Sequence, residues 1–296
     1  MKNLARALFA PAFFFAFMGA AICVVPDHPT ARALLLPGLF LLAVAVSFAA
    51  EHWLPYDAEW NKGRNDFGRD LAHTIVNEGL AIGIAILPFL AYYLAHPQFW
   101  PRSLPFWLQV AFALLVADFG ITLAHWLSHR VPFLWRLHEV HHSVRRMYGF
   151  NGLMKHPAHL AVEGVFGLLP LLLIGIPFNV AAVLAYAIAI ELLLQHSNFD
   201  MRLGPLRHIF AWAPNHRYHH MRYGTSGDVN FALFFAGWDR LLGTTFHAPA
   251  HRICSADLGI GTRPNYPDAY LAQLREPFSA VTEHAPVPVT PATLIL

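Results

Sequence analysis

The residues of this chain best suited to chemistry are histidines in three short blocks: His125-Trp-Leu-Ser-His129, His138-Glu-Val-His141-His142 and His216-Arg-Tyr-His219-His220. On a helix, positions i, i+3 and i+4 fall within one face, so each block should point all its imidazoles one way. Neutral imidazole is the commonest metal ligand and suits iron, zinc and copper. One such face offers two to three ligands to a transition metal, and several faces suit a two-metal centre. A lone HxxHH motif arises by chance on a solvated helix. Two of them plus a pair, with five histidines between 125 and 142, point to ligation by all eight. His196, in Gln195-His196-Ser197-Asn198, is a ninth candidate ligand.

Other residues are candidates for roles behind the ligands or on the substrate side. Asp118 lies seven residues before His125 inside an apolar run. A carboxylate at that depth needs a partner, either a histidine N–H or an arginine. His156, His159, His73 with Asn77, and Asp228 with Asn230 complete this group. His28, His52, His96, His208, His247, His251 and His284 read as ordinary surface or interfacial residues.

Two other functions use the same blocks. His138-Glu139-Val-His141-His142 fits the H-E-x-x-H signature of zinc proteases, with Glu139 as base. Against it, the second HxxHH block has Arg217 at the glutamate position, and a protease leaves most of the histidines unexplained. A histidine-lined metal transporter would place its ligands near mid-bilayer on broken helices.

The elements that must position these blocks are membrane helices. The 296 residues are 56% hydrophobic and 13% charged, with mean hydropathy +0.42. A soluble domain carries about twice that charged fraction. Apolar runs at about 7–25, 33–50, 71–95 and 106–128 each approach the ~20 residues needed to cross hydrocarbon. The first, preceded by Lys2 and Arg6, is too long for a signal sequence and reads as an anchor. The stretch 160–195, broken by Gly175-Ile-Pro177, predicts a helical hairpin turning at Pro177. Arg32 and Arg102 sit in short loops on one side; the other 18 of the 20 Lys and Arg fall on the opposite side, which the charge bias makes cytoplasmic. Both termini and every histidine block belong to that side. The expected architecture is all-α: about four spans plus the hairpin, under a cytoplasmic helical cap. Its expected divisions are N-terminal spans at 1–50, a catalytic unit at 51–275 and a loose proline-containing tail at 276–296. Cys23 and Cys254 suggest neither a disulfide nor a thiol redox pair.

These blocks resemble the fatty acid hydroxylase and sterol desaturase superfamily of membrane di-iron oxygenases. The shared order is a histidine pair, an HxxHH block, an apolar hairpin, a further histidine and a second HxxHH block. Flanking residues match as well, among them Glu51, Pro55, Trp135-Arg136, His156-Pro157, Asp228-Val-Asn230-Phe231 and Trp238-Asp239-Arg240, over about 50–246. His159 departs from relatives, which often carry an acid there. The resemblance implies two iron ions, with zinc as a substitute in isolated protein, held mainly by imidazoles. It implies O2 as co-substrate and hydroxylation or desaturation of a lipid C–H bond beneath a canopy that excludes water. Without an iron–sulfur cysteine set, a nucleotide fingerprint or a haem domain, electrons should come from a separate ferredoxin or b-type cytochrome with its reductase. Arg145, Arg146, Arg217 and Arg222 form a basic face suited to an acidic donor or to anionic headgroups. No feature suggests nucleic acid, and the expected location is a bacterial inner membrane.

Overall fold

A computed structural model describes residues 1–25, 29–79, 99–280 and 284–295, without the side chains of 29–34 and 225–226. The fold is all-α. Its helices are α1 (Lys2–Val24), α2 (Pro29–Trp53), α3 (67–79), α4 (Phe106–Ser128), α5 (Pro132–His142), α6 (Pro157–Gly167), α7 (Leu169–Leu173), α8 (Phe178–His196), α9 (Ala213–His219), α10 (Gly237–Leu242) and α11 (Tyr270–Arg275). Among the described residues, β pairing is limited to three isolated bridges.

Among the described residues, four helices are long and apolar enough to cross a membrane: α1, α2 from Leu35, α4 and α8. The chain is a multi-pass membrane protein. Of the run expected at 71–95, residues 71–79 continue α3 and the rest lies outside the described residues. The hairpin turns where expected. Its first arm is α6 and α7, broken at Leu168; Gly175 turns with φ +81°, and Pro177 caps α8.

The spans meet at one end. Arg6, in the first turns of α1, pairs at 2.6 Å with Asp200, just beyond α8, and the Asp200 N–H donates to the Leu54 carbonyl at the end of α2. The last turns of α4 and α8, with His125 and His196, come to this same end. Helix α8 is the hub. Two thirds of its apolar window (67%) is buried, against 28% for α1 and 22% for α2, whose outward faces are left for lipid.

Helices α5 and α9 are short, 11 and 7 residues, and each has proline in its first turn. Proline's fixed φ starts a helix favourably, but helices this short persist only through packing. Their histidines are therefore placed by what surrounds them. The end of the chain is docked rather than free of contacts: Leu294 is buried, the Ala285 N–H donates to the Thr262 carbonyl, and Thr293 Oγ1 lies 2.7 Å from His251 Nδ1. Two of the four arginines expected on a docking face are structural. Arg146 forks onto Asp66 with two contacts of 2.7 Å, and Arg217 is buried, donating to the Ser197 and Phe199 carbonyls over the Tyr56 ring.

Helices α4 and α6 cross backbone to backbone at Gly120 and Gly167. A Cβ on Gly120 would stand 2.1 Å from the Phe166 carbonyl oxygen. Gly120→Ala should therefore force the helices apart at a cost of about 1–3 kcal/mol. Thermal denaturation in detergent should show a clear drop in Tm for it, and none for Gly164→Ala, whose added methyl meets nothing within 4 Å.

Candidate metal centre

Nine histidines converge at the cap end of the spans, in two groups. His125 and His129 from α4, His138 and His142 from α5 and His219 from α9 form the first. His141 from α5, His196 from α8, and His216 and His220 at α9 form the second. Within each group the available ligand atoms lie within 4.8 Å of one another. All nine are the histidines expected from the sequence, but their partition differs. Each HxxHH block divides: His138 and His142 face the first group and His141 the second, whereas His216 and His220 face the second and His219 the first. The reason is helical geometry. At about 100° per residue, i and i+4 are about 40° apart, while i+3 lies about 60° to the other side. Two sites placed side by side along a helix face are served by one block.

Nitrogen spacing fits a metal in each group. Nε2–Nε2 separations are 2.8 Å for His125–His219, 3.1 Å for His138–His142, and 3.1–3.2 Å from His196 to His141, His216 and His220. A metal binding imidazole at about 2.0–2.1 Å places neighbouring ligand nitrogens about 3 Å apart.

The opposite edges of five rings are held by oxygen. Nδ1–H donates to the carbonyl of Phe231 from His125, of Met154 from His141, of Leu192 from His196 and of Val229 from His219, and to the Asp228 carboxylate from His129, all at 2.8–3.1 Å. A carbonyl only accepts, so Nδ1 keeps the proton and Nε2 presents its lone pair inward. Burial, and then the charge of neighbouring imidazoles or of Lys155, keeps His138, His141, His142, His216 and His220 well below the usual histidine range. These rings are neutral and ready to ligate. The buried His129 Nε2 has no protein partner, as a ligand nitrogen aimed at a cation would not.

The carbonyls that orient the rings are themselves fixed. Asn77 donates to the Leu153 and Lys155 carbonyls, and His73 bridges the Lys155 carbonyl and Gln273, on either side of Met154. His156 caps α6 and reaches the Leu274 carbonyl. Asn230, at φ +53°, donates to the Asn215 and Phe246 carbonyls beside Phe231. Among the described residues Asp118 contacts neither a histidine nor an arginine, contrary to both expected roles. It accepts the Phe234 and Phe235 N–H and the Trp238 indole, tying the loop after Phe231 to α4. His159 stays outside both groups, its ring 4.4 Å from that of His138 and its Nε2 at 3.0 Å from Ser128 Oγ. Glu139 points away to an ion pair with Arg263 at 2.7 Å, so it is not placed as a protease base.

Three contributors carry no usable signal in the sequence. The four carbonyl acceptors are invisible to residue type. Asp239, which takes the Phe231 and Ala232 N–H, stands out only as a flanking residue of the resemblance. The buried Lys155–Glu163 pair at 2.7 Å joins residues with no helical spacing between them. A cavity of about 330 Å³ opens beside His129, His142 and His219, with Asp228 and glycine backbone in its wall.

The sequence profile described as fatty acid hydroxylase matches residues 110–244. An ornithine lipid hydroxylase, OlsE, of Rhizobium tropici is 35% identical over 87% of this chain and 80% of its own length. An alkylglycerol monooxygenase of Danio rerio is 27% identical over 76% of this chain and 49% of that protein. A methylsterol monooxygenase of Rattus norvegicus is 26% identical over about half of each. No solved structure matches the chain.

Asp228→Ala should free the His129 ring and weaken metal binding at the first group about 10–100-fold. In a chelator titration, one metal per chain should leave the variant at a concentration that strips none from the wild type.

Proposed function

The chain belongs to the fatty acid hydroxylase and sterol desaturase superfamily, and we propose that its nine buried histidines hold two iron ions, five ligands on one and four on the other. Its class is that of a membrane lipid oxygenase, an O2-dependent oxidoreductase acting on lipid with an outside source of electrons. The observation that carries the ligand assignment is the pair of converging Nε2 sets at metal-ligand spacing. Residues 51–275 form the catalytic unit in this reading.

When bound, the iron pair supplies the reduction of dioxygen that oxidises a C–H bond. In hydroxylation, one oxygen atom enters the lipid as an alcohol and the other leaves as water, with two electrons from the donor and two protons from water. The chain's own part is to hold and shield. Carbonyl and Asp228 acceptors keep the imidazoles in one tautomer, and the packed cap excludes bulk water from them. The substrate we favour is a polar-headed lipid of the kind named for the Rhizobium relative. The cavity beside His129, His142 and His219 has Arg222, Asp228 and Thr262 among the apolar residues of its wall, polar groups that a lipid headgroup could meet. A ferredoxin or a b-type cytochrome with its reductase would deliver electrons from the cytoplasmic side of a bacterial inner membrane. The charge bias supports that side, since 18 of the 20 Lys and Arg fall with the cap.

Purified, iron-loaded protein should consume oxygen when an ornithine-containing lipid is added, and far less with free fatty acid or sterol. Mass spectrometry should find the lipid heavier by one oxygen atom. Peptide cleavage or metal flux without oxygen uptake would contradict the oxygenase reading; product from fatty acid or sterol alone would contradict the substrate.

A further inference from the structure

A second concavity lies in the cap, apart from the cavity beside the histidines. Its volume is about 320 Å³, and none of its lining residues belongs to an apolar span. Four arginines line it, Arg64, Arg145, Arg222 and Arg263, and no acid does. Arg263 is neutralised by Glu139 and Glu276. The other three are not. Arg64 Nη2 donates to Ser255 Oγ and Arg145 Nη2 to the Pro264 carbonyl, both at 2.9 Å and both to neutral oxygen. Among the described residues no ion pair joins Arg64, Arg145 or Arg222 to a carboxylate, and the buried Arg222 Nε has no hydrogen-bond partner. Three uncompensated guanidinium groups around one concavity focus a positive field that an anion would fill.

We propose that this arginine-lined concavity docks the acidic surface of the protein that supplies electrons, an inference that rests on the oxygenase reading. Its position argues for a partner from water. The lining comes from Arg64 ahead of α3, from segments after α5 and α9 and from 255–266, rather than from the apolar spans. The same position brings a partner close to the metals. Ser143 in its wall follows His142 directly, and Arg222 stands two residues after His220. Arg222, Gly259 and Ile260 are shared with the cavity beside His129, His142 and His219, so the two concavities adjoin. Arg64 and Arg145 are exposed at the rim, where a partner's carboxylates would meet them in forked, charge-assisted pairs. This surface differs from the one expected from sequence, because Arg146 and Arg217 are spent on internal contacts.

The test uses the full iron-loaded chain with a [2Fe–2S] ferredoxin and its reductase as the electron source. Lipid-dependent oxygen uptake gives the KM for ferredoxin. A separate single-turnover assay starts from chemically pre-reduced protein and needs no donor. Arg222 is left in place because it also borders the histidine cavity. Arg64→Gln/Arg145→Gln should raise the KM for ferredoxin about fivefold at low salt and flatten its salt dependence. The single-turnover yield should be unchanged, and Arg64→Lys/Arg145→Lys should restore most of the affinity. An unaltered KM, or a single-turnover yield that falls in parallel, overturns the proposal. So does inhibition of the single-turnover reaction by inorganic pyrophosphate, which would mark a small-anion site. Absence of product from pre-reduced wild-type protein overturns the oxygenase reading itself.

Discussion

The structure depends on nine imidazoles turning unprotonated nitrogens toward two points inside a buried space. Lone pairs about 3 Å apart repel one another, and each ring would escape by rotating or by taking a proton. Oxygen acceptors prevent this by holding Nδ1–H on the far side of five rings. For those five rings the tautomer is thus chosen by four backbone carbonyls and the Asp228 carboxylate, and the position of these acceptors becomes the constraint on the site.

Several polar residues outside the two groups accordingly share one task. Asn77 and His73 fix the strip around Met154, and Asp118, Asp239 and Asn230 fix the strip from Val229 to Phe235. Gln195, one residue before His196, donates to the Ala211, Ala232 and Leu233 carbonyls and so ties α8 to that second strip. These are buried groups in an apolar bundle, where an unpaired donor or acceptor costs about 1–3 kcal/mol. Their pairing stabilises the cap and holds the ligand rings in the same contacts. Helix α8, the most buried of the four span-length helices, delivers His196 between His141 on one side and His216 and His220 on the other.

Much of this is legible from residue type and spacing. All nine histidines and the apolar hairpin with its turn near Pro177 follow from pattern alone. The division of each HxxHH block does not. Spacing says which side chains share a helix face, but two sites lying next to each other on that face are resolved only when neighbouring helices are in place. The role of Asp118 escapes the sequence for a related reason. Depth in a span signals that a carboxylate has a partner, but three of its partners are two backbone N–H groups and an indole more than a hundred residues away. Arg146 and Arg217 look like surface charge because nothing in the sequence marks Asp66 or the Ser197 carbonyl as their acceptors.

The proposed division of each histidine block between two metals is tested most directly by the metal content of the His141→Ala/His220→Ala variant. Both residues belong to the second group although they come from different blocks. Purified variant should therefore retain one of the two metals per chain, held by the intact five-histidine group. Loss of both metals would mean that each block binds its own ion, which contradicts the division.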